Sequence, residues 1–199
     1  SADTMSFFLG ATNVLPSAGR SVVVAIITIV ISTLIGAPAG YALARFNFRG
    51  RDVFRLVIVS TRAFPIVILS IPIAVAYIQL GINDNVFSLA LMHCALALPF
   101  TVLVTSSVFA GVPRDLEEAA ETLGCSPLQA FVRVVLPLAL PGLAAATLFT
   151  FVLSWNEVFA SVILTSRNRT LPALLVAQLD ESPLNYKYAG GFFLLAPSM

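Results

Sequence analysis

Across its 199 residues the chain carries 58% hydrophobic and only 11% charged side chains, against roughly a quarter charged in an ordinary soluble domain. A water-soluble fold of this length has too little interior to hide that much apolar surface, so the composition points to a lipid-embedded chain. The formal net charge of +1 supplies neither a basic field for nucleic acid nor an acidic tail.

Ser1 to Arg20 is short and mixed, with Gly10, Asn13, Pro16 and Gly19, and reads as a loop or interfacial segment. It lacks the charged start, apolar core and small-residue cleavage site of a signal peptide. From Ser21 to Ala44 about two dozen residues pass without a charge, enough to cross the roughly 20-residue hydrocarbon core once. Gly36, Pro38 and Gly40 near the end of this first span permit a kink or the close approach of a neighbour. Arg45, Arg49, Arg51 and Arg55 then face a single acid, Asp52, in a short connection, which the positive-inside rule assigns to the cytoplasm.

A second span is expected between Phe54 and Ile82, with Arg62 snorkelling toward the cytoplasmic interface and Pro65 and Pro72 inside. Gly81 to Asn85 forms a short external turn, and a third span from Val86 to Val112 returns the chain to the cytoplasm. His93, the sole histidine, sits in this apolar run and reads as a helix-packing residue, with a proton relay as the alternative. Cys94 and Cys125 fall in different environments, so neither a disulfide nor a metal site is expected from them.

The stretch from Pro113 to Pro137 is the one long charged, amphipathic interruption. Pro113 suits a helix start, and Asp115, Glu117 and Glu118 place negative charge at its positive end. Leu116, Ala119, Ala120 and Leu123 recur at helical spacing opposite Glu117, Glu118 and Glu121. Gly124 ends this helix, and Ser126, Pro127 and Gln129 start another through a capping box. Its stripe is Leu128, Phe131, Val132 and Val135, and Pro137 and Pro141 are expected to disrupt the ladder beyond it.

A fourth span runs from Leu138 to about Ala160 and holds Trp155, Asn156 and Glu157. Either Trp155 is an interfacial anchor beside a hydrated carboxylate, or Asn156 and Glu157 line a polar translocation pathway. Ser161 to Lys187 reads as an external loop with Arg167, Arg169, Asp180 and Glu181, and its middle, Leu171 to Leu179, as a re-entrant or interfacial helix. Tyr188 to Met199 starts a fifth apolar segment that stops short of a crossing. The expected fold is therefore all-α, a single polytopic transmembrane bundle over residues 1–199 with about five spans, the last truncated, and a cytoplasmic loop at 113–137.

Several chemistries lack their residues. There is no H-E-x-x-H, no paired intramembrane aspartates and no nucleophile-elbow pattern, and no G-x-x-x-x-G-K-[ST] to cradle ATP phosphates. An ion-coupled carrier would have Glu157 as its sole intramembrane carboxylate.

Glu118-Ala119-Ala120, then Gly124, Val134 and Leu136-Pro137, resemble the EAA loop of the permease subunits of ABC importers, E-A-A, three residues, G, nine residues, I-x-L-P, with valine for isoleucine as the one departure. Trp155 to Leu179 and Tyr41 to Arg51 are similar to the carbohydrate-importing branch related to the maltose system's second membrane subunit. The resemblance implies a multi-pass bacterial or archaeal plasma-membrane permease with a further helix ahead of Ser1. It implies two ATPase subunits, a second related permease and an extracytoplasmic solute-binding protein as partners. It places ATP and magnesium on the ATPase and no cofactor on this chain, which is then not itself an enzyme. The expected ATPase-coupling residues are Glu117, Glu118, Ala119, Ala120, Leu123 and Gly124, where small alanines allow close packing, Glu118 offers an ion pair and Gly124 sets the turn. An amphipathic loop lying on lipid headgroups is the alternative, disfavoured because cationic faces suit that surface. Candidate pathway residues for a sugar or oligosaccharide are Gln79, Ser154, Asn156 and Glu157. A permease for a polyamine or another small solute, or an ion-coupled carrier, is the competing reading.

Overall fold

A computed structural model describes residues 2–11, 13–178, 183–195 and 197. Among these the chain is helical with no strand. Three helices are long and apolar enough to cross a membrane: α2 (Val14–Arg45), α5 (Val86–Gly111) and the continuous run from Pro127 to Trp155. The expected second span is instead broken. α3 (Arg51–Thr61) and α4 (Ile66–Gln79) meet at 85° and together make a fourth candidate. The break falls at Arg62–Pro65, where proline bars the preceding residue from continuing the helix.

α2 and α5 form the spine. A Cβ on Gly40 would lie 2.7 Å from the amide nitrogen of Ser106 and 2.9 Å from the Val102 carbonyl oxygen, so only glycine lets the backbones approach this closely, and one on Gly36 would lie 2.8 Å from Thr101 Cγ2. The Thr105 hydroxyl closes the seam by donating to the Gly36 carbonyl at 3.0 Å.

The elbow follows α5. α6 (Arg114–Thr122) begins after Pro113 and ends at Gly124, whose φ of +94° lets the Cys125 amide donate back to the Ala120 carbonyl and the Gly124 amide to that of Glu121. α7 (Pro127–Ala130) carries the expected capping box: Ser126 Oγ accepts from the Gln129 amide, and Gln129 Oε1 from that of Ser126. The helix then continues through a π-helical turn, Phe131–Val135, into α8 (Leu136–Trp155). The ladder is disrupted as expected ahead of Pro137, as a local π-helical turn, but neither Pro137 nor Pro141 ends the helix. In the wider turn the Leu136 amide reaches back to the Phe131 carbonyl, which opens the ladder just where the Pro137 ring would meet an α-helical carbonyl.

The remaining segments fill one end. The expected N-terminal loop is α1 (Ala2–Gly10) followed directly by the start of α2. Phe8 of α1 is fully buried among Val14, Trp155, Leu171, Leu174, Tyr186 and Ala189. Trp155 is thus a core residue rather than an interfacial anchor, with its indole N–H donating to the Leu194 carbonyl at 3.0 Å. The stretch read as an external loop contains two short helices, α9 (Phe159–Leu164) and α10 (Leu171–Ala177). Leu171 to Leu174 are all buried, so α10 packs within the bundle instead of floating at an interface, and its first amide donates to Ser21 Oγ. Leu179, Asp180 and Glu181 lie outside the described residues. The fifth apolar segment forms α11 (Leu184–Leu195), 12 residues long. Cys94 and Cys125 are both free.

Candidate functional site

The elbow divides its residues into an inward and an outward set. Glu117 turns into the bundle. Its Oε2 lies 2.9 Å from Arg45 Nε, and its Oε1 accepts a hydrogen bond from the Tyr41 hydroxyl. Arg45 and Glu117 side chains are only 8% and 12% exposed, so this is a nearly dry ion pair, and removal of one partner costs about 3–5 kcal/mol. Arg45 also donates to the Val112 carbonyl at 3.0 Å, and Arg114 donates to the Arg45 carbonyl at 3.2 Å. Tyr41 is held between Phe109 and Phe131, with ring centroids 5.4 and 4.5 Å away. Ala120 is buried on the same side.

Glu118, Ala119, Leu123 and Gly124 face outward. Glu118 is 68% exposed and has only the 3.8 Å contact to Arg114. Leu123 is 87% exposed and Leu128 71%, with Leu116 and Val132 about half exposed. The expected apolar stripes are therefore split: Ala120, Phe131 and Val135 pack inward, while Leu116, Leu123, Leu128 and Val132 are left exposed among the described residues. Four exposed aliphatic side chains lie on either side of the turn fixed by Gly124, and Glu118 is exposed on the other face of α6. An acidic-rimmed cleft of about 260 Å³ lies alongside, walled by Tyr41, Arg45, Arg114, Glu117, Glu118 and Glu121.

Of the candidate pathway residues, Glu157 and Ser154 are brought together, by a residue that had no assigned part with them. His93, fully buried on α5, has Nδ1 2.8 Å from Ser154 Oγ and Nε2 3.3 Å from Glu157 Oε2. Glu157 lies in the break between α8 and α9 and accepts from the amides of Ala160 and Ser161, capping α9. The sequence signal was available: a lone intramembrane histidine and a lone intramembrane carboxylate form the one such pair that can satisfy each other. Glu157 also lines an open cavity of about 500 Å³ with Arg62, Ile66, Leu69, Met92 and Leu153. Arg62, expected to snorkel, sits at the α3–α4 break with its guanidinium 5.5 Å from the Phe100 ring centroid. Gln79 and Asn156 are exposed and do not line this cavity.

At the other end of α5, Asp84 clamps the α9–α10 connection. Its carboxylate accepts from the amides of Ser166, Arg167 and Asn168 at 2.9–3.2 Å, and its own carbonyl accepts from Asn168 Nδ2. Burial pushes the Asp84 carboxyl up, but these amide donors outweigh it together and hold the group below its ordinary range.

Residues 33–198 match the family described as binding-protein-dependent transport system inner membrane component. The trehalose transport system permease protein SugB of Mycobacterium tuberculosis is 34% identical over 154 residues, covering 77% of this chain and 56% of that protein. The diacetylchitobiose uptake system permease protein DasC of Streptomyces coelicolor is 33% identical over 160 residues, covering 79% and 58%. The chain thus spans little more than half the length of these two relatives. In shape it is similar to a chain of a bacterial ABC transporter involved in the import of the acidic polysaccharide alginate, with TM-score 0.72, 23% identity and coverage of 98% of this chain and 75% of that one. It is also similar to a chain of the MetNI methionine ABC transporter, with TM-score 0.76, 18% identity and coverage of 92% and 88%. Both likenesses concern the fold.

Proposed function

The chain belongs to the family of inner-membrane components of binding-protein-dependent transport systems, and from that premise we propose that it is the permease subunit of an ATP-driven importer whose solute is a sugar or oligosaccharide. The single observation that carries the coupling half of this reading is the outward set on the elbow. Leu116, Leu123, Leu128 and Val132 give the elbow an exposed apolar ridge that none of the described residues buries, with Glu118 exposed across α6 from it. Such a ridge suits insertion of a short helix into a groove on a partner protein. The partner is a separate ATP-hydrolysing subunit, which binds the ATP and magnesium. A second related permease and an extracytoplasmic solute-binding protein complete the assembly. The excess of arginine from the end of α2 to the start of α3, Arg45, Arg49, Arg51 and Arg55 against Asp52, supports a cytoplasmic position for the elbow, in a bacterial or archaeal plasma membrane.

The carbohydrate assignment is supported by the relatives named for trehalose and diacetylchitobiose. Glu157, with Ser154 behind it through His93, is the carboxylate of the open cavity, which Thr61 and Arg62 also line, and the candidate to hydrogen-bond a hydroxylated solute there. The test is ATP hydrolysis by the reconstituted complex with its binding protein, across a panel of disaccharides. Stimulation by at least one sugar is expected, and Glu118→Lys abolishes it. Stimulation by polyamines but by no sugar overturns the substrate assignment, and normal stimulation in Glu118→Lys overturns the docking role.

A further inference from the structure

Two neighbouring carboxylates of the elbow have opposite environments, and the difference assigns them different work. Glu118 is two-thirds exposed, whereas Glu117 is turned inward and nearly dry between Arg45 and Tyr41. Resting on the docking role proposed above, we propose that Glu117, Arg45 and Tyr41 form a latch that fastens α6 to the end of the α2 span. Glu117 is then a positioning residue that never touches the ATPase.

The geometry makes α6 part of one rigid body with the spine. Arg45 occupies the last turn of α2 and reaches two other elements: the Glu117 carboxylate on α6 through Nε, and the Val112 carbonyl after α5 through Nη2. Arg114 returns the connection from α6 by donating to the Arg45 carbonyl. Tyr41, one turn earlier on α2, adds its hydroxyl to Glu117 and packs its ring on Phe131 of the π-helical turn and Phe109 of α5. Elements α2, α5, α6 and the start of the long helix thus meet at one charged node. A guanidinium in a low-dielectric site holds a carboxylate in a fixed direction, because a tilt that breaks the pair strands both charges away from water. A push on α6 is therefore passed to α2 and α5 instead of being absorbed by rotation about the Val112–Pro113 connection. Without the node, α6 retains its exposed docking ridge, including Glu118, and loses its lever arm.

The experiment uses the assembled permease–ATPase complex in proteoliposomes, with Cys94 and Cys125 replaced by serine and a reporter Thr61→Cys on the cavity wall. Three quantities are read: retention of the ATPase subunit, ATP hydrolysis, and the change in maleimide labelling of the reporter when ATP is added. For Glu117→Gln the ATPase is retained and hydrolysis stays within about twofold, while the ATP-driven labelling change falls about tenfold, a loss within the usual span of coupling between sites. The charge exchange Arg45→Glu with Glu117→Arg restores at least half of the change, which a merely structural role does not predict. Tyr41→Phe, which leaves the ion pair in place, gives an intermediate loss and serves if the charge variants do not assemble. A normal labelling change in both Glu117→Gln and Tyr41→Phe overturns the latch, as does a double exchange no better than either single variant. Loss of the ATPase subunit from Glu117→Gln that the charge exchange does not recover places Glu117 at the interface and also overturns it. Failure of the docking role is distinguishable, because then Glu118→Lys retains the ATPase and full stimulation.

Discussion

Glu117 and Asp84 stand beyond opposite ends of α5, and each holds a connecting segment against the bundle, but with different partners. Glu117 is held by side chains of another helix, Arg45 and Tyr41, while Asp84 is held by backbone amides of the loop it clamps. The backbone clamp closes on itself, since Asn168 also donates to the Asp84 carbonyl. The side-chain latch joins two elements across sequence and leaves the adjacent Glu118 and Leu123 uncovered. One end is thereby built as a closed loop and the other as a connection whose outer side chains are exposed.

The change expected to break this contrast most severely is Gly124→Pro. It removes the amide that donates to Glu121 and demands a negative φ where the chain has +94°, at a cost of about 3 kcal/mol or more. The ATPase subunit is then expected to be lost on co-purification of the complex, while the Asp84 end stays intact. Next comes His93→Ala, which strips the buried carboxylate of Glu157 of its ring partner and removes the hydrogen-bond partner of Ser154. Thermal unfolding in detergent should show destabilisation of about 1–3 kcal/mol, with the elbow's docking unaffected.

Asp84→Asn sharpens the comparison from the other side. Hydrogen exchange at the amides of Ser166, Arg167 and Asn168 should rise about tenfold at neutral pH, equivalent to about 1.4 kcal/mol of lost protection. Because the folded carboxyl titrates below its ordinary value, the clamp's contribution is full above the unfolded carboxyl's range, near pH 4, and is lost as pH falls through the depressed folded value. Wild-type protection of these amides should therefore be flat from pH 8 to about pH 5 and decline only below about pH 4. The smallest stability effect is that of Leu123→Ala, within about 0.5 kcal/mol because the side chain packs on nothing in the chain. Its affinity for the ATPase should nevertheless fall about tenfold, as for an anchor at an interface.

The elbow was legible in detail because its signals are local. A proline start, a glycine turn and a capping box each act within four residues, and each appears where the spacing put it. The inward turn of Glu117 was not legible, since helical periodicity groups it with Glu118 and Glu121 and says nothing of Arg45, 72 positions earlier. Periodicity also says nothing of the His93–Ser154–Glu157 cluster, whose members lie on α5, α8 and the break after it; the pairing of one histidine with one carboxylate in apolar segments was its only sequence signal. Trp155 misled for a related reason: a tryptophan near a helix end satisfies the rule for an interfacial anchor, and only the packing of α1, α10 and α11 buries it. The broken second span was foreshadowed by Pro65, but hydropathy averages across a bend and reports one crossing where two helices meet at 85°.

On the docking role proposed for it, the exposed ridge of the elbow faces the cytoplasm and seats on an ATP-hydrolysing subunit. That role is tested most directly by placing a cysteine at Leu123, with Cys94 and Cys125 replaced by serine, in the assembled complex within sealed vesicles of known orientation. The expected result is labelling by a membrane-impermeant maleimide from the cytoplasmic side alone, protection from that reagent when the ATPase is bound, and a crosslink to that subunit through a short bifunctional maleimide. Labelling from the outer side, or equal labelling with and without the bound ATPase, contradicts it.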